Sequence, residues 1–287
     1  MTHALRAFLA KPALALVEVV EAQGSTPREV GAWMLVSSDA IFGTIGGGQL
    51  EYMAIDEARR LLGTDDSGKG EGDALHLSIP LGPEIGQCCG GRVKLIIHAL
   101  SEPGKATLLA KAEADDARLP HVYLFGGGHV GHALAAALAL LPVRAIVVET
   151  RKDELIGLPE NVEARLTAMP EEIVREAPSG AAYLVLTHDH ALDFLIVAEA
   201  LKRTDAAHVG MIGSLTKRAT FKSWYLKTAG GDEMSLARLV SPIGGVSTSD
   251  KRPAVIAAMA AAELMTALAN WQNASVKTAA KHRKKLA

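Results

Sequence analysis

His121-Val122-Tyr123-Leu124-Phe125-Gly126-Gly127-Gly128-His129-Val130-Gly131 is the stretch that decides the fold of this chain. A short apolar run reads as a buried strand, and it ends in glycines at 126, 128 and 131, the spacing G-x-G-x-x-G. An alanine-rich apolar stretch follows and reads as a helix. A second strand then ends at Glu149, 18 residues past Gly131. Each position has a physical task. The first glycine turns tightly, the second lets a phosphate approach the backbone, and the third lets helix and strand pack closely. The carboxylate at the end of the second strand is placed for a ribose hydroxyl. The N–H groups and dipole of the new helix favour an anion. Gly126, Gly128, His129, Gly131 and Glu149 are therefore candidate ligand contacts. Arg151 either meets a phosphate or makes a surface salt bridge. Nucleotide, dinucleotide and pterin nucleotide all satisfy this pattern.

Outward from this unit, strands are predicted at 121–125, 143–148, 162–166, 181–186 and 208–212, with helices filling the intervals. Further helices are expected around 221–227 and from Pro253 to about Asn270. Such alternation argues a doubly wound, Rossmann-like parallel sheet covered on both faces. The basic tail 277–285 reads as solvated and mobile. Before residue 118 the rhythm differs. Strands are expected at 14–21, 32–36, 41–45, 74–79 and 92–100, with a Gly/Asp-rich loop at 65–72. A helix after Gly48 carries Leu50, Met53, Ala54, Ala58, Leu61 and Leu62 on one face. The expected organisation is a mixed α/β domain over 1–118 and a Rossmann-like domain over 119–287.

Other loops of the second domain are expected at the carboxyl rim of the sheet, where such folds bind ligands. Thr187-His188-Asp189-His190, with Asp193, reads as a helix N-cap, as a ligand contact through His188 and Asp189, or as a metal site. Ser214 can cap a helix and touch a ligand. Lys217 and Arg218 follow it and face either an anion or solvent. Ser241-Pro242-Ile243-Gly244-Gly245 is a turn that could line the crevice. In the first domain, Gly24–Arg28 follows the first strand. Gly46, Gly47 and Gly48 offer bare backbone N–H groups, a second anion nest near Arg28. Gly86-Gln87-Cys88-Cys89-Gly90-Gly91 places two thiols in a glycine-flanked loop, where they are either small buried residues or soft donors.

Composition removes several function classes. At 287 residues the chain is long enough for two domains. Hydrophobic residues at 49% against 22% charged exclude a disordered chain. A net charge of −2 leaves no overall electrostatic footprint for nucleic acid, and aromatics at 4% leave few stacking platforms for bases. The apolar run Ala133–Leu141 stops at Pro142, far short of a membrane span. Glu18 interrupts the stretch after Arg6 and Lys11, so no signal-peptide pattern survives. Two adjacent cysteines build no disulfide framework, which points to a reducing cytoplasm.

Taken in order, Gly24–Arg28, Gly43–Glu51, Gln87–Gly91, Phe125–Gly131, Thr187–Asp193, Ile212–Arg218 and Pro242–Gly244 resemble the XdhC/CoxI family, accessory proteins of xanthine dehydrogenase and related molybdenum hydroxylases. The resemblance runs from about Leu14 to Leu264. It implies an N-terminal XdhC domain, a C-terminal Rossmann domain and a homodimer in the cytoplasm. It implies a non-enzymatic chaperone that binds the molybdenum cofactor, a molybdopterin. The chaperone supports sulfuration of the cofactor by a cysteine desulfurase and inserts it into the apo-subunit of the hydroxylase. Within that expectation Cys89 is the candidate molybdenum ligand, because a thiolate is a soft donor and Gly90 and Gly91 crowd it least. The competing expectation is an NAD(P)-dependent oxidoreductase, with the nucleotide on the Gly126–Gly131 loop and His188 as acid or base.

Overall fold

The computed structural model describes residues 2–63, 74–83, 90–245 and 250–286. The loop expected at 65–72 and the candidates Gln87, Cys88 and Cys89 lie outside the described residues. The chain forms two compact units, Met1–Arg118 and Leu119–Ala287.

The first unit contains α1 (Thr2–Leu9), β1 (Ala15–Gln23), β2 (Trp33–Val36), β3 (Ile41–Gly43), α2 (Gly48–Gly63), β4 (Leu75–Pro80), β5 (Arg92–Ala99) and α3 (Glu102–Ala117). The strands pair antiparallel in the order β3-β2-β1-β5-β4. Successive strand side chains point to opposite faces, and β1 shows it. Ala15, Val17 and Val19 pack with Leu50, Ala54 and Ala58 of α2. Leu14 and Leu16 pack with Leu5 and Leu9 of α1 and Leu108 of α3. Helices thus cover both faces of this sheet. Ser101 starts α3 by accepting from Gly104 N at 3.3 Å.

The second unit contains β6 (His121–Phe125), α4 (His129–Leu138), β7 (Arg144–Glu149), β8 (Glu163–Leu166), α5 (Pro170–Glu176), β9 (Ala182–Val185), α6 (His190–Lys202), β10 (His208–Met211), α7 (Leu215–Lys227), α8 (Glu233–Leu236), β11 (Leu239–Val240) and α9 (Pro253–Leu286). Its sheet is parallel, in the order β11-β10-β9-β6-β7-β8. The fold is therefore α/β, a mixed N-terminal part followed by a Rossmann-like parallel sheet. Tyr123, Phe125, Tyr183 and Val185 face Ile196 of α6 and Phe221 of α7. Val122, Leu124 and Leu184 face Leu134 of α4 and Leu264 of α9.

Three features depart from the sequence reading. No helix fills the interval between β7 and β8. A 3-10 turn over Lys152–Leu155 takes its place, since Gly157 and Pro159 break the segment. The strand β11 has two residues, too few for any periodicity. And α9 does not end near Asn270: its backbone is helical to Leu286, through the tail expected to be mobile. Over Pro253–Ser275 this helix is also long and apolar enough to cross a membrane by length and composition, which no uninterrupted run of the sequence indicated. Ala257, Ala260, Ala261, Leu264 and Leu268 make one stripe at helical spacing and are buried in the core beside α4.

Candidate functional site

Chain order and sheet order reverse at β6. The strands β7 and β8 lie to one side of it and β9, β10 and β11 to the other. Ligands of open α/β sheets sit outside the carboxyl ends of the strands at such a point. The loop after β6 meets the loop after β9 there. Gly126 has φ +118°, and an added Cβ would stand 2.7 Å from Leu186 O. At Gly131 a Cβ would come within 2.1 Å of Gly126 O, so α4 packs on its own loop only through a glycine.

Gly128 is different. It is the N-cap of α4 in extended geometry, φ −71° and ψ −171°, and its surroundings are open to 4 Å. No side chain caps α4. Asp189 caps α6, accepting from Ala191 N at 2.8 Å and Leu192 N at 3.3 Å, and Ser214 caps α7, accepting from Lys217 N at 3.2 Å. The first-turn N–H groups of α4 are thus left for an outside acceptor. His129 opens that helix and is exposed, as is His188 on the neighbouring loop.

Glu149 lies at the end of β7, buried. Its Oε2 accepts from Gly127 N at 2.8 Å. Its Oε1 accepts from Thr150 N at 2.8 Å, Thr150 Oγ1 at 3.1 Å and Arg151 N at 3.1 Å. Burial pushes its pKa up, but the N–H donors of Gly127, Thr150 and Arg151 and the Thr150 hydroxyl together outweigh that and hold it below the usual value. The carboxylate braces the glycine loop, and room for one further donor remains on Oε2. The Arg151 side chain lies between Glu149, at 3.5 Å, and Glu154, at 3.1 Å, the salt-bridge alternative of the sequence reading.

Behind the β9 loop, Asp193 is fully buried. It accepts from Thr187 N at 3.1 Å and Thr187 Oγ1 at 2.7 Å, and it pairs with the buried Lys217 ammonium. Lys217 therefore faces a carboxylate of the protein itself. The turn at Pro242–Gly245 lines a cavity of about 280 Å3 with Ile212, Ile256 and Met259.

In the first unit, the loops at Gly24–Arg28 and Gly43–Glu51 come together. An added Cβ on Gly46 would stand 2.5 Å from Pro27 Cγ, and Gly24 lies beside Gly91. Arg28 reaches Glu29 at 3.8 Å. The N–H groups of this loop are not bare as expected. The Glu51 carboxylate accepts from Ile45 N at 2.9 Å, Gly46 N at 3.2 Å and Gly47 N at 2.9 Å, and from the Thr44 hydroxyl. The chain supplies the anion of its own nest, so Gly46 and Gly47 already have an acceptor, while Gly48 opens α2. The signal for this was local. An acid three residues into a helix reaches back to the N–H groups before it, as in a capping box.

Both glutamates carry a pH consequence. Burial raises the Glu51 pKa, but the Thr44 hydroxyl and the Gly47, Ile45 and Gly46 N–H groups outweigh it, so the value falls below the ordinary 4.5, as at Glu149. A carboxyl whose folded pKa is depressed contributes stability that is complete above the unfolded value and lost as pH falls through the folded one. Thermal stability is expected to drop as pH is lowered from about 5 through the carboxylate range. Glu51→Ala is expected to cost about 1–2 kcal/mol at neutral pH and to flatten that acid limb. Melting curves of both proteins between neutral and acid pH check this. A variant with the wild-type profile would show that the nest does not depend on its carboxylate.

The model of the XdhC Rossmann domain matches residues 122–264, and that of the XdhC and CoxI family matches residues 9–70. The chain belongs to the XdhC/CoxI family. This XdhC/CoxI chain is 27% identical over 262 residues to the uncharacterized protein YqeB of Escherichia coli K12, an alignment that covers 88% of the chain and 43% of YqeB. The chain thus spans under half the length of that curated relative. A Bacillus halodurans structure described as a xanthine dehydrogenase superposes with a TM-score of 0.74 at 14% identity, covering 94% of this chain and 96% of that one, a likeness of fold. Among the described residues of this family member, no group of three or more His, Cys, Asp or Glu side chains could hold a metal ion.

Proposed function

We propose that this XdhC/CoxI chain is an accessory protein that binds the molybdenum cofactor and delivers it to xanthine dehydrogenase or a related molybdenum hydroxylase. One observation carries the reading. The helix behind a G-x-G-x-x-G loop, at the switch point of a parallel sheet, begins without a side-chain cap and under open space. Backbone N–H groups so placed fit the phosphate of a molybdopterin. Family membership and the likeness to a structure described as a xanthine dehydrogenase support the choice of client.

In this reading Gly126, Gly128, His129 and Gly131 surround the phosphate. His188, Asp189 and Ser214 line the rim; Arg28, Gln87, Cys88 and Cys89 are separate candidates of the first unit, named from the sequence, with the Cys89 thiolate as the proposed soft donor. The protein acts as a homodimeric chaperone in the cytoplasm, with a cysteine desulfurase and the apo-hydroxylase as partners. The competing reading is an NAD(P)-dependent oxidoreductase, favoured by the position of Glu149 at the end of β7. The four donors that Glu149 already holds weigh against a ribose diol there.

The test is the ligand itself. Protein purified from a strain that makes molybdenum cofactor is denatured, and the supernatant is assayed for pterin fluorescence and molybdenum. Stoichiometric pterin with molybdenum is the expected result. Released nicotinamide nucleotide without pterin would overturn it in favour of the oxidoreductase.

A further inference from the structure

We infer that the cavity beyond β10 and β11 receives the flat nitrogen heterocycle of the ligand whose phosphate sits at the start of α4. The inference rests on the phosphate-binding reading above and adds where the rest of the ligand goes. The cavity and the loop share one face of the sheet: Leu134 and Leu138 of α4 and Ala257, Ala260 and Leu264 of α9 belong to the same core. Both helices start at the carboxyl rim. α4 follows β6 directly. On α9, Ile256 and Met259 line the same cavity as Ile212 and Gly213 just past β10, while Glu263, further along, reaches His208 at the start of that strand, 3.4 Å away.

Two strand steps separate β6 from β10. At about 4.8 Å per step, the cavity lies roughly 10 Å along the rim from the glycine loop. A ring joined to a phosphate through a sugar or pyran can reach that far. The other direction is closed. The 3-10 turn after β7 packs against the loop so tightly that a Cβ on Gly127 would stand 2.4 Å from Glu154 O. Arg151 lies over the same side, held by Glu149 and Glu154.

The cavity has the chemistry for a ring. Ile212, Ile243, Ile256 and the Met259 thioether make apolar walls, and sulfur packs well against aromatic systems. Lys251 stands at the lining as a donor for a polar ring edge, beside the Asp250 carboxylate. Asp250 is itself held by Arg252, through its N at 2.9 Å and its guanidinium at 2.6 Å. A volume of about 280 Å3 suits one bicyclic ring and not a dinucleotide.

Calorimetry on the full chain with three probes tests this: ribose 5-phosphate, which has no ring, guanosine monophosphate and neopterin monophosphate. A ring ligand is expected to bind at least tenfold more tightly than ribose 5-phosphate. Tighter binding of the pterin marks a pterin phosphate as the source, and tighter binding of guanosine marks a nucleotide. Met259→Trp, at a partly exposed helix position, fills the cavity and is expected to remove that tenfold advantage. Ribose 5-phosphate affinity and the circular dichroism spectrum should not change. Ring ligands that bind no better than ribose 5-phosphate, or that are untouched by Met259→Trp, would overturn the inference and leave the phosphate site standing. Ribose 5-phosphate binding that survives Gly128→Val would overturn the phosphate site itself.

Discussion

Lys217→Met is expected to destabilise the protein by about 3–5 kcal/mol, the cost of leaving one charge of a buried pair without its partner. Asp193 is fully buried and Lys217 is 9% exposed, so little water replaces the lost ammonium. The loss is a large fraction of the 5–15 kcal/mol typical of a folded domain. Both residues lie in the first turn of a helix, α6 and α7, where the dipole favours the carboxylate and disfavours the ammonium. The pair therefore joins two helix starts, and Thr187 of the β9 loop is tied to the same carboxylate. Asp193→Asn/Lys217→Met removes both charges and keeps an acceptor for Thr187. It is expected to recover most of the loss. Urea unfolding of the three proteins measures this. A single variant with the wild-type midpoint would show that Asp193 and Lys217 do not form a buried ion pair.

The second large effect is on binding. Gly128→Val is expected to weaken a phosphate-bearing ligand by two to three orders of magnitude, about 3–4 kcal/mol of charge-assisted hydrogen bonding, with the fold intact. The backbone at Gly128 is extended, a conformation any residue adopts, and an added Cβ meets nothing within 4 Å. The valine methyls stand instead where the phosphate would approach the N–H groups of α4. Gly131→Ala is the contrasting change. Its methyl would meet Gly126 O, so it is expected to lower the melting temperature. Calorimetry with ribose 5-phosphate and circular dichroism separate the two. Full affinity in a natively folded Gly128→Val protein would remove the glycine loop from the binding site.

Much of this fold is legible because its signals are local. The apolar run Leu14–Val19 reads as a strand, and the structure sorts its side chains onto two faces and buries both sets under helices. The helix after Gly48 shows its buried stripe of Leu50, Ala54 and Ala58 at helical spacing. Pro253 sits at a helix start, where its missing N–H is not needed. Where a signal is short or absent the reading fails. Two residues of β11 carry no period. Nothing in Asn270 or the basic stretch after it stops α9, because lysines and alanines are good helix formers.

The sequence alone determined that residues 121–149 make a glycine-loop βαβ unit, because turn chemistry and hydrophobic period are properties of neighbouring residues. It also determined which loops hold acids, imidazoles and bare glycines. Which of those groups remain available to a ligand was decided only in three dimensions. Glu149 reaches back across 22 residues to Gly127 N, and Lys217 crosses 24 residues to Asp193. Such pairings depend on strand order and helix placement, and no spacing rule sets them. A buried donor or acceptor must find a partner when water is excluded. Folding therefore gives Glu51, Glu149 and Asp193 to the loops themselves and leaves the first turn of α4 without a side-chain acceptor.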